Sequence, residues 1–138
     1  MDIQNVFLHG ELYEEVYMHP PLGFRRQGEE IVCQLNKSLY GLKQASQSWF
    51  HKFSSTIQNV GFKQSKVDHS LFTKVRGDSF TNILLYVDGM IITGNNEEVV
   101  SDLKKHLSIS FRIKDLGLLK YFLGVEVACS KARIFICQ

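Results

Sequence analysis

Between Ile83 and Gly94 the chain reads Ile-Leu-Leu-Tyr-Val-Asp-Gly-Met-Ile-Ile-Thr-Gly, two apolar runs separated by one carboxylate, Asp88, and one glycine, Gly89. An Asp-Gly step between β-prone runs is a strong hairpin signal, because a two-residue turn needs positive φ at its centre and glycine accepts it without steric cost. The runs are apolar at nearly every position, which predicts strands buried on both faces. Such a hairpin holds a carboxylate at the tip of a rigid element in a packed sheet. The plain alternative is a turn that only reverses the chain, and the surroundings of Asp88 decide between the two.

The chain of 138 residues suffices for one domain (1–138) with a real core. At 44% hydrophobic and 12% aromatic residues, the composition excludes a disordered polymer. No stretch reaches the roughly 18 apolar residues of a membrane span. Asp2, Gln4 and His9 stand where a signal peptide would carry a basic and then an apolar run, so the expected setting is intracellular, without a membrane. Three cysteines, Cys33, Cys129 and Cys137, are odd in number and share no metal-ligand spacing, which implies reduced thiols. Residues 31–76 carry seven bases (Lys37, Lys43, Lys52, Lys63, Lys66, Lys74 and Arg76) against Asp68 alone. That segment suits a phosphate backbone, and it suits a solvated helix face as well.

Apolar residues at 42, 45, 49, 53, 56/57 and 60 have helical spacing, with Gly61 placed to end the helix in the left-handed conformation. Ser70–Val75 and Ser79–Val87 read as strands joined through Gly77-Asp78, and Ile31–Leu35 as a short strand. The stretch from Glu11 to Gly28 reads mostly as loop. Asn95 followed by Glu98 has capping-box character and opens a helix with Val99, Val100, Leu103 and Leu107 turned inward. Ile109–Ile113, Tyr121–Val127 and Ile134–Cys137 are further strands, with turns at Asp115–Gly117 and Ser130–Arg133. This order predicts an α+β fold, with helices on one face of a mainly antiparallel sheet. Trp49 falls on the apolar face of the long helix and reads as packing.

Several segments, in order along nearly the whole chain, resemble the reverse transcriptase of copia-type retrotransposons. They are Met-Asp-Ile-Gln-Asn-Val-Phe-Leu-His-Gly-Glu-Leu (1–12), Glu15–Met18, Lys37–Ala45, Trp49-Phe50, Asp68–Phe72, Leu85–Asp88, Lys114–Gly117 and Lys120–Val127. The resemblance implies a polymerase palm and RNA-directed DNA polymerisation. In that reaction carboxylates from separate strands hold two divalent ions, Mg²⁺, around the attacking primer 3′-hydroxyl and the leaving oxygen. It further implies an RNA template, a DNA primer and a deoxynucleoside triphosphate as partners. By the same resemblance Asp2 matches the acid of the first polymerase motif, and Asp88 the first acid of a Tyr-Val-Asp-Asp turn. Phe7 matches the aromatic beneath the incoming sugar, Tyr40 and Gly41 lie in the motif approaching nucleotide and template, and Tyr121, Phe122, Leu123 and Gly124 resemble the hairpin that grips the primer terminus. Bland competitors stand beside these roles: Asp2 as a frayed, solvated acid, and Phe7 and Tyr121 as core aromatics.

The chain departs from the family pattern at its most critical position. Gly89 stands where the family has the second turn acid, so one catalytic carboxylate is lost. Val6 replaces a usual alanine and Ser46 a proline. Relative to the family the palm is expected to be truncated at both ends, leaving Asp2 on a two-residue overhang and sheet edges exposed. The expectation is a fragment of a decayed element that is inactive alone. Its alternative is a catalytically dead nucleic-acid-binding module using the basic 31–76 segment.

Overall fold

The computed structural model describes residues 1–24, 31–130 and 133–138. Within these the chain runs β1 (Asp2–Ile3), a 3₁₀ turn (Val6–His9), β2 (Tyr17–Met18), β3 (Cys33–Gln34), α1 (Ala45–Asn59) and β4 (Lys63–Gln64). It continues through β5 (Leu71–Arg76), β6 (Ser79–Tyr86), β7 (Gly89–Gly94), α2 (Glu97–Ser110), β8 (Ile113–Lys114), β9 (Tyr121–Phe122), β10 (Val125–Cys129) and β11 (Ile134–Cys137). This is an α+β chain with antiparallel sheets, as its element order predicts. The 25–28 part of the expected loop, and 131–132 of the expected turn, lie outside the described residues.

Six strands form the main sheet in the order β4-β5-β6-β7-β1-β8. Four of these strands, β1, β5, β6 and β7, contribute buried residues from one face to a common core. Thr81, Ile83 and Leu85 of β6 are buried, as are Phe72 of β5, Met90 of β7 and Ile3 of β1. Against this face α1 sets Trp49, Phe53 and Ile57, and α2 sets Leu103 and Leu107. Phe53 and Phe72 meet edge to face at 5.7 Å, a geometry favoured by the ring quadrupoles. Helical spacing of large apolar residues is what directs α1 onto the sheet, and Gly61, at φ 91°, ends it as expected. Tyr86, Gly89, Ile91 and Asp2, of opposite parity, lie on the face away from these helices.

Several expectations need correction. The hairpin strands are not buried on both faces: the alternate positions of β6 and β7 are half-buried or exposed. The turn is not centred on Asp88-Gly89. Tyr86 pairs with Gly89, so Val87 and Asp88 form the turn and Gly89 begins a strand. The N-cap of α2 is Asn96, whose Oδ1 accepts from Glu98 N (3.0 Å) and Val99 N (3.2 Å). Asn95 is occupied elsewhere, accepting from Phe80 N and donating to the Asp78 carbonyl. Of the expected strand Ile109–Ile113 only Ile113 is extended, opening β8, since α2 continues through Ser110. Tyr121–Val127 is two strands around Leu123-Gly124. β1 is also no sheet edge, because β7 and β8 flank it.

Candidate functional site

Asp88 is presented by a strained turn. Val87 takes φ 50°, where a β-branched residue is an outlier. Both turn carbonyls are held. Trp49 Nε1 donates to Val87 O at 3.0 Å, and Ile3 N donates to Asp88 O at 2.8 Å. Trp49 is thus buried packing, as expected, and also a donor, which helical spacing gave no means to foresee. The Asp88 side chain is exposed.

The same Ile3–Asp88 bond ties the turn to β1. Together with Met90 N donating to Met1 O at 3.0 Å, it brackets the cross-strand pair Asp2 and Gly89. A pair bracketed in this way is non-hydrogen-bonded, the arrangement in which opposing side chains come closest. Asp2 is not a frayed overhang. It pairs with Gly89 on one side and Lys114 on the other, and is half-buried. Gly89 is no turn residue and has no left-handed φ. A Cβ there would make ordinary contacts, 3.5 Å from Phe122 Cε2 and 3.6 Å from Tyr86 O.

Asp2, Gly89, Tyr121 and Phe122 line one groove of about 310 Å³, together with Leu116–Lys120. At its rim Lys104 Nζ donates to Asp115 Oδ2 at 2.8 Å. That ammonium, then the Gly117 N–H, holds the Asp115 carboxyl below its ordinary range. Nothing in the sequence pattern singled out this pair. Asp88 sits at the turn beside the groove and not in its lining.

The remaining expected positions lie outside that lining. Phe7 meets Tyr40 edge to face at 4.9 Å, with Phe7 half-buried and Tyr40 exposed. Gly41 takes φ 91° with open space around it. Leu123 (φ 52°) and Gly124 (φ 81°) turn the β9–β10 hairpin, which directs Phe122 toward Gly89 and leaves Tyr121 largely exposed. Within the basic segment Lys52 pairs with Glu11. Lys74 donates to Val60 O at 2.6 Å and lies over the Phe62 ring. Among the described residues no group of three or more His, Cys, Asp or Glu side chains is placed to hold a metal ion. No helix there is long and apolar enough to cross a membrane.

The family model described as reverse transcriptase (RNA-dependent DNA polymerase) matches residues 1–138. The chain is 42% identical, over 92% of its length, to the retrovirus-related Pol polyprotein from transposon TNT 1-94 of Nicotiana tabacum, covering 10% of that protein. It is 42% identical, over 91% of its length, to the Pol polyprotein from transposon RE1 of Arabidopsis thaliana, covering 9% of it. A putative transposon Ty5-1 protein of Saccharomyces cerevisiae is 29% identical over 92% of the chain and 42% of its own length. The chain thus spans about a tenth of the two plant polyproteins. No solved structure matches it.

Proposed function

This chain belongs to the reverse transcriptase (RNA-dependent DNA polymerase) family, in the branch carried by copia-type transposons, and on that premise we propose that it is part of a polymerase palm with an incomplete metal centre. Its reaction class is nucleotidyl transfer onto a primer 3′-hydroxyl, with template RNA, primer DNA and deoxynucleoside triphosphates as substrates. Asp2 and Asp88 are the carboxylates retained. One observation carries the reading: Asp2 faces Gly89 across β1 and β7, on the sheet face that borders the groove. A carboxylate at position 89 would stand beside Asp2, and glycine supplies no donor atom there.

The donor set does not fit a two-Mg²⁺ centre. Two carboxylates, one of them cross-strand to Lys114, are too few to neutralise two divalent ions and a triphosphate. No chemical step is therefore assigned to a metal in this chain. Loss of a single transition-state stabiliser commonly lowers a rate roughly 10²- to 10³-fold, and a centre short of a metal ligand loses more, so the reading is of a chain without measurable extension. Phe7 with Tyr40 and Gly41 would meet the nucleotide, and the Tyr121–Gly124 hairpin the primer end. The alternative, a binding module built on residues 31–76, is weakened because Lys52 and Lys74 already serve internal partners.

The test joins turnover and metal binding. Purified chain with a primed RNA template, deoxynucleotides and Mg²⁺ or Mn²⁺ gives no extension; product above background overturns inactivity. Gly89→Asp raises Mn²⁺ affinity, read by electron paramagnetic resonance, and Asp2→Asn in that background abolishes the gain. An unchanged affinity overturns the assignment of position 89. Nucleic-acid affinity that falls with salt and drops on Lys43→Ala, with no Mn²⁺ gain in Gly89→Asp, favours the alternative.

A further inference from the structure

The turn that presents Asp88 is restrained through its backbone. Val87 is 49% exposed, so packing of its side chain does little to keep φ at 50°. A residue in so sparsely populated a region persists only where its surroundings over-determine it. Here the surroundings are two donors, Trp49 Nε1 to Val87 O and Ile3 N to Asp88 O. The first of these is itself fixed. Trp49 is 2% exposed, with its ring held against Phe53 at 5.6 Å and Phe111 at 5.1 Å. A phenylalanine would serve that packing. The indole N–H is what only tryptophan adds.

We infer that Trp49 is a positioning residue for the Asp88 carboxylate, acting through the Val87 carbonyl. The inference deepens the reading of Asp88 as a site carboxylate and rests on it. The clamp joins α1 to the turn as Ile3 joins β1 to it, so the carboxylates of Asp2 and Asp88 share one rigid frame. Without the indole donor, Val87 relaxes toward negative φ and the Asp88 side chain swings away from that frame.

Native-state amide exchange tests this without requiring catalysis. Trp49→Phe keeps a ring between Phe53 and Phe111 and removes the donor. If phenylalanine leaves the core too loose to fold, benzothienylalanine at position 49 keeps the bicyclic ring and replaces the N–H by sulfur. In either variant the Ile3 amide, whose acceptor is Asp88 O, exchanges roughly five- to tenfold faster. The Phe111 amide, bonded to Leu107 O at 2.8 Å beside the same ring, is unchanged. Adding Val87→Gly restores Ile3 protection, because glycine holds positive φ without steric cost. A packing role alone would not respond to that rescue. Equal acceleration at Ile3 and Phe111, no acceleration, or no rescue overturns the inference. Failure of the site reading shows separately, as an absent Mn²⁺ gain in Gly89→Asp. In that case the clamp on the turn stands and the metal assignment alone falls.

Discussion

Asp2 and Gly89 are cross-strand partners in a non-hydrogen-bonded pair, on the sheet face that α1 and α2 leave open. Position 89 lacks a side chain without any backbone need for glycine, since its φ is not left-handed and a Cβ finds room. Gly89→Asp therefore folds. It places two like charges directly opposite, which without a cation destabilises by up to about 1 kcal/mol. A divalent ion between them reverses the sign. Urea melts of the variant should lie below the parent in chelator and shift upward with Mn²⁺, while the parent ignores the ion; equal melts in both solutions would refute the pairing.

The glycine at the other end of β7 has a different reason to exist. A Cβ on Gly94 would stand 2.7 Å from Phe80 O and 3.2 Å from Val100 Cγ2, where the strand meets β6 and α2. Gly94→Ala must push α2 or β6 away and should cost about 1–3 kcal/mol. Gly89→Ala should stay within about 0.5 kcal/mol of the parent. Chemical denaturation of the two alanine variants side by side checks the contrast.

How far the chain is legible depends on whether the deciding interaction is local. The 3.6-residue spacing from Leu42 to Val60 and the terminator Gly61 are local, and α1 follows them. The Val87–Asp88 turn is displaced by one residue from the glycine rule, because its register is set by β1 and by Trp49, 38 residues away. A strained valine is held where local propensity would have placed Gly89. Ile109 reads as β-prone, yet α2 carries it on an outer face at 86% exposure, since Leu103 and Leu107 dictate the helix. The meeting of Asp2 with Gly89 is invisible to spacing altogether. Only the family resemblance pointed to it.

Two adjacent asparagines divide labour in a way a capping pattern does not resolve. Asn96 caps α2, while Asn95 Oδ1 accepts from Phe80 N at 2.8 Å and its Nδ2 donates to Asp78 O at 2.7 Å, latching the end of β7 to the β5–β6 turn. Asn96→Ala should cost about 1 kcal/mol and accelerate exchange at Glu98 and Val99. Asn95→Ala should leave those amides alone and accelerate Phe80. The reverse pattern would restore the cap to Asn95.

The Lys104–Asp115 pair at the groove rim gives a pH dependence of definite sign. The Lys104 ammonium first, and the Gly117 N–H second, hold the Asp115 carboxyl below its ordinary range. A depressed folded-state value means the contribution is complete above the unfolded carboxylate value of about 4. It is lost as pH falls through the lower folded value. Both side chains are partly exposed, at 34% and 45%, so the stabilisation is within about 1 kcal/mol and shrinks with salt. A carboxyl ¹³C titration should find the Asp115 midpoint below that of a model peptide. Lys104→Met should raise it toward the ordinary value and flatten stability against pH on the acid side. A midpoint that ignores Lys104→Met would mean that the Gly117 N–H and the N-terminal ammonium hold the carboxylate without Lys104, and that Lys104 does not anchor the 115–122 wall of the groove.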